Sequence, residues 1–160
     1  MKVNRIHVIA ASVGLVGVAA LSPVAFGSTP SGFTATTLVT ANLDHTVDLN
    51  SDGVHFRTDG RTDVAVQRVH FDARGSSGWH HHPGIVIVAI KFGRVTVWDE
   101  NCNKTRYGIG LKNGSVFVES GDDPGKVTSF RGATSFATFV APNVDPPVFR
   151  IEDDPPPCDD

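Results

Sequence analysis

Several features that would settle a function quickly are missing from this 160-residue chain. Past residue 27 no segment repeats its apolar residues near every 3.6 positions, so helices are not expected; the apolar residues recur with period two instead. There is no GxSxG turn, no serine beside a histidine and carboxylate, and no glycine-rich phosphate loop, which argues against hydrolases and nucleotide enzymes. Basic residues are outnumbered, 14 against 17 acidic, so neither nucleic acid nor an anionic membrane is an expected partner. Only two cysteines occur, Cys102 and Cys158, and neither has the CxxC or CxxH spacing of a zinc site. Histidine is absent after His82.

The first 27 residues have a different character. Lys2 and Arg5 precede an apolar stretch from about Ile6 to Leu21, followed by the small residues Ala25 and Gly27. This is the pattern of an export signal cleaved after Gly27, with a run too short to serve as a stable membrane anchor. Cleavage of 27 of the 160 residues leaves 133, enough for one core, and lowers the basic count to 12, for a net charge near −5. The expected location is secreted or on the exterior of the cell envelope. In an oxidising compartment, an even cysteine count predicts a Cys102–Cys158 disulfide tying the tail EDDPPPCDD to the NCNK turn. Free thiols or thiolate ligands are the alternative.

The remaining chain reads as all-β. Expected strands cover residues 36–43, 54–58, 63–71, 85–92, 94–99, 115–119, 126–130, 135–141 and 147–152. Turn chemistry separates them at Asp52-Gly53, Asp59-Gly60, Gly75 to Gly78, Lys91-Phe92-Gly93, Asn113-Gly114 and Gly132. Strands of this number and spacing predict a sandwich or barrel, and the unbroken run IVIVAI predicts a strand covered on both faces. DLNSDGVHFRTD carries the acidic spacing of a calcium loop, but its flanks alternate like strands and Asp52-Gly53 reads as a hairpin turn.

The chemistry concentrates in GWHHHPGIVIVAIKFG, residues 78–93. On an extended strand His80 and His82 share one face, and Trp79 and His81 the other. His81 is expected to be a solvated neighbour, or an exposed residue that binds metal adventitiously, rather than a ligand. His80-x-His82, then Pro83-Gly84-Ile85, Val86, six residues and Gly93 resemble the first motif of the cupin family, in particular small secreted bacterial single-domain cupins. Val86 stands where that motif has a glutamate. The second motif should fall in GLKNGSVFVESGDDPGKVTSFRG, residues 110–132, where Ser120 replaces its proline and no histidine occurs.

The resemblance extends over residues 63–142 and implies a double-stranded β-helix, a jelly-roll barrel. It implies a barrel over residues 44–152, preceded by an extension or edge strand at 28–43 and followed by an acidic tail at 153–160. It also implies a cavity marked by His80 and His82, with two of the usual four metal ligands lost. Glu119, Asp122 or Asp123 would complete the set, Glu119 being the first choice, with a divalent metal (Fe, Mn, Zn or Ni) or none. Strand alternation places Gln67, Phe71, Val86 and Phe117 in a ligand pocket, Gln67 as its polar member, while Trp79, Trp98 and Tyr107 are expected to pack as ordinary core or surface residues, an aromatic wall for a ligand being the alternative. The expected function is an exported barrel binding a small molecule or, weakly, a divalent metal. The alternative is a metal-dependent oxygenase or isomerase with a rebuilt ligand set. Pairing of two copies through their sheets is a further implication of the resemblance.

Overall fold

The structure, a computed structural model, describes residues 28–158. The export segment expected over residues 1–27 lies outside the described residues. Eleven strands follow one another, with no helix among the described residues: β1 (Ser31–Leu43), β2 (Val47–Ser51), β3 (Val54–Thr58), β4 (Thr62–Ser76), β5 (His80–His81), β6 (Ile85–Trp98), β7 (Lys104–Gly108), β8 (Val116–Glu119), β9 (Lys126–Ser129), β10 (Ala133–Pro142) and β11 (Ile151–Glu152).

The main sheet runs β1-β4-β10-β6-β7, with β8 added to β6 and β9 paired to both β4 and β6. These pairings are antiparallel. Because β4 pairs β10, β10 pairs β6, β6 pairs β9 and β9 returns to β4, the strands close into a barrel. Closure pairs both sides of the strands β4, β10, β6 and β9, and leaves β1, β7 and β8 as edges with one partner each. Alternation fills the inside: Val69 and Phe71 from β4, Val86, Val88 and Ile90 from β6, and Ala137 and Phe139 from β10 form one buried cluster with Phe117 and Val127. Each valine, isoleucine or phenylalanine among them contributes about 1.5–3 kcal/mol through burial.

Two expectations about β6 need correction. IVIVAI is not covered on both faces: Ile85 and Ile87 are about half exposed, because they point outward from a barrel wall that no other described strand covers. Nor is Lys91-Phe92-Gly93 a turn. A single strand passes through it and bends, with Ser135 paired to Ile90 and Thr134 to Phe92, so that Lys91 is the extra residue of a bulge. Gly93 has φ +80°, and a Cβ there would sit 2.3 Å from the carbonyl oxygen of Gly132. Only glycine tolerates both the backbone and the approach. The bend lets the first half of β6 pair β10 and β8 while the second half pairs β7 and β9.

Outside the barrel, β2 and β3 form a separate hairpin whose turn has φ 49° at Asp52 and 84° at Gly53, the type I′ pattern. Asp48 pairs with His55 across it at 2.8 Å, so the acidic run serves a hairpin. At the other end, only Ile151–Glu152 of the expected strand 147–152 is β-structure, as β11 against β5. The stretch that follows β10 and includes β11 lies across the histidine end of the barrel as a strap, with Phe149 against His82 and Asp153 against His81. Its far end is fixed by the Cys102–Cys158 disulfide, with Cα atoms 5.5 Å apart. This bond fits an oxidising, extracytoplasmic compartment. No helix among the described residues is long and apolar enough to cross a membrane.

Candidate metal centre

The histidine strand is short but firmly held. The His80 amide donates to the Gly125 carbonyl at 2.9 Å, and the Gly125 amide returns a bond to His80 at 2.8 Å. The Asp122 amide donates to the carbonyl of His82 at 3.2 Å. The loop between β8 and β9 therefore grips both residues by their backbones. His80 and His82 are buried at 5% exposure, their rings nearly perpendicular with centroids 4.8 Å apart.

Hydrogen bonds fix which nitrogen of each ring is free. Nδ1 of His80 lies 3.0 Å from the Gly78 carbonyl oxygen, and Nδ1 of His82 lies 2.5 Å from that of Phe149 on the strap. A carbonyl only accepts, so both rings donate from Nδ1, and in the neutral ring the lone pair then falls on Nε2. Backbone acceptors of this kind orient imidazole for metal binding.

Those lone pairs converge on a carboxylate. His80, His82 and Glu119 each offer one ligand atom within 4.8 Å of the others. Glu119 Oε2 is 3.4 Å from Nε2 of His82, yet that nitrogen is buried with no hydrogen-bond partner. Two acceptors facing each other away from water repel unless a proton or a cation lies between them. Burial, then the Arg150 cation, lowers the His80 pKa to about 4, against an opposing pull from Glu119. His80 is therefore neutral near pH 7, the form that ligates a metal. Two imidazoles and one carboxylate in a buried cluster are a donor set that a divalent transition metal fits, and three protein ligands leave further positions open.

A cavity of about 50 Å³ lies behind these groups, lined among others by Phe71, Phe117, Ser77 and Arg150. A wider mouth of about 280 Å³ opens on the other side beside Trp98, Asp99 and Asp123. Of the four residues expected to line a pocket, Phe71 and Phe117 face the inner cavity. Val86 is buried in the core next to it, while Gln67 faces neither space and donates instead to Thr37 Oγ1 at 3.2 Å. Neither Asp122 nor Asp123 joins the cluster; Asp123 accepts from the Ser120 hydroxyl.

His81 is not a solvated neighbour. Its Nδ1 meets Asp153 at 2.8 Å, with about a fifth of each side chain exposed. Trp79 and Tyr107 pack as structure: Trp79 is buried, and Tyr107 stacks on Phe117 with centroids 5.0 Å apart. Trp98 borders the mouth. Arg150, absent from the sequence-level reading, reaches Ser77 O at 2.6 Å and pairs with Glu152. No motif marks it, because its partners lie more than seventy positions away in the chain or on a two-residue strand.

No family model matches the chain, and no curated protein is similar to it. Among solved structures, the DMSP lyase of Ruegeria pomeroyi superposes with a TM-score of 0.51 at 17% identity, over 77% of this chain and 52% of that one. The chain thus spans about half the length of the lyase. A cupin domain from Bordetella pertussis gives 0.45 at 14% identity, over 71% of this chain and 98% of that one. A double-stranded β-helix protein from Klebsiella pneumoniae gives 0.45 at 15%, over 71% and 77%. Identities this low speak to architecture only: the chain has the double-stranded β-helix fold of the cupins.

Proposed function

We propose that this barrel holds one divalent transition metal on Nε2 of His80, Nε2 of His82 and the Glu119 carboxylate. The observation that carries the reading is the buried, unpartnered Nε2 of His82 facing Glu119 at 3.4 Å. When bound, such a metal supplies Lewis-acid or redox chemistry at positions open to a small molecule. The protein's own residues do the rest. Gly78 and Phe149 hold the tautomers, the hydrophobic wall of Phe71 and Phe117 keeps water out, and Arg150 sets a positive charge at the inner end of the site.

This ligand set favours the metal-dependent enzyme over the passive binding barrel, because a carboxylate has been supplied from β8 where the first motif lacks one. The substrate would be a small polar molecule entering by the 280 Å³ mouth, and the protein would act outside the cytoplasm. The test is metal content by mass spectrometry on untagged protein from the exported fraction, alongside His80→Ala and His82→Ala. Near one metal per chain, lost in both variants, is the expected result. Full metal content in either variant would remove the site, and no metal in the wild type would return the protein to metal-free ligand binding.

A further inference from the structure

A second concavity lies around the bend of β6, outside the barrel wall. It measures about 660 Å³, within the range of small-molecule sites. It is lined by Arg94, Arg106 and Arg131 and by Ile109, Leu111 and Phe130, with no acidic side chain among its lining residues. Thr96 pairs Arg106 and Arg94 pairs Gly108, so the two arginines are diagonal neighbours on one face of the β6–β7 ladder. A Cβ on Gly108 would sit 2.7 Å from Cγ of Arg94, so the missing side chain leaves the channel in which the Arg94 stem lies.

Arg57, Arg61 and Arg150 each pair with a carboxylate. Among the described residues, the guanidinium groups of Arg94, Arg106 and Arg131 have no such partner. Three unneutralised cations in one cleft repel each other, in a chain whose net charge is negative. Beside them, Phe130 is 74% exposed and Ile109 63% exposed. Cations without counter-charge next to uncovered apolar side chains match a ligand that has both an acid group and an apolar body.

We propose that this cleft is a second binding site, for a small amphipathic anion. Its carboxylate, sulfonate or phosphate lies among Arg94, Arg106 and Arg131, and its apolar body covers Phe130, Ile109 and Leu111. Apart from Val95, which borders both, the cleft shares no lining residue with the cavity behind the histidines.

The fluorescent anion anilinonaphthalene sulfonate is a suitable probe, with decanoate and decanol as competitors on the purified, untagged protein. Decanoate should displace the dye and decanol should not. Arg94→Gln and Arg131→Gln should each weaken dye binding about tenfold, the loss of one charge-assisted contact. Arg68→Gln, which removes the same charge from the exposed face of β4, should leave it unchanged. Circular dichroism melts confirm that the variants fold, and their metal content should match the wild type. Equal competition by decanol, or equal losses in all three variants, would overturn the proposal. So would sedimentation with phosphatidylglycerol vesicles without binding of free decanoate, which would make the cleft a membrane-docking face.

Discussion

Glu119 lies directly opposite Val86 in the β6–β8 ladder. Residues paired this way have Cβ atoms about 4.5–5.5 Å apart and project to the same side of the sheet. Val86 occupies the position where the resembling motif has its glutamate. Glu119 therefore offers a carboxylate from β8, one strand across from that position and 3.4 Å from Nε2 of His82.

That relationship predicts a transfer experiment. Glu119→Gln should lower metal affinity by more than about a hundredfold, since even residues outside the ligand set typically cost 10–100-fold. Adding Val86→Glu to that variant should recover part of the loss, because the new carboxylate starts from the adjacent paired position. Isothermal titration with Zn²⁺ or Mn²⁺ reads both effects. Failure of the double variant to exceed Glu119→Gln alone would show that the two positions do not reach the same point.

The sequence carried the barrel because its evidence is local: alternation in VAVQRVHF and FATFVA, and turn residues between the strands, act over a few positions. His80-x-His82 was equally legible, since a strand puts alternate residues on one face. Long-range placement was not legible. Gln67 has the alternation of Val69 and Phe71, yet alternation says nothing of how far along the barrel axis a residue sits, and its amide turned to Thr37. Gly93 looked like a turn because local chemistry does not distinguish a hairpin from a bulged corner; the difference is made by Gly132, nearly forty positions away. Phe149 and Arg150 reach the site through a strap whose only regular strand is two residues long, too short to leave a pattern.

Acid should weaken the metal-free protein through His80. Its folded pKa is lowered to about 4, chiefly by burial and next by Arg150, whereas in the unfolded chain it titrates near the ordinary histidine value of 6.5. Above the unfolded value both states are neutral and the full stability is present. As pH falls from there toward about 4 the unfolded state takes up a proton that the folded state refuses. Stability falls across that window by roughly 3 kcal/mol and this contribution is constant below it. Urea unfolding at about pH 7 and pH 4.5 should show the decline, and His80→Gln should lose that part of it. An unchanged slope in the variant would assign the acid sensitivity to other groups.

Gly84 follows the histidines where the chain crosses β10. A Cβ there would lie 2.2 Å from the carbonyl oxygen of Val140, a backbone atom that cannot swing aside. Gly84→Ala should therefore cost about 1–3 kcal/mol by overpacking. Because His82 is two residues earlier, metal affinity should fall with it. A thermal melt within a degree of wild type would mean that β10 yields more easily than its pairing to both β4 and β6 implies.

The disulfide is expected to act on the proposed metal site as well as on stability, because it anchors the segment that reaches His82. Cys158 ends the strap that brings Phe149 to His82 and Asp153 to His81, and whose β11 pairs with β5. Its bond to Cys102 spans a sequence separation of 56, a loop whose closure stabilises the fold by about 4 kcal/mol in the chain-entropy model. Cys102→Ser with Cys158→Ser should lower the melting temperature by roughly 10–20 °C. Metal affinity in the same variant should fall about tenfold while it is still folded, since the carbonyl that orients His82 is no longer anchored. Reduction of the wild-type protein should reproduce both effects and reoxidation should reverse them. If the melting point falls and metal affinity does not, the bond stabilises the barrel alone and β11 holds the strap without it.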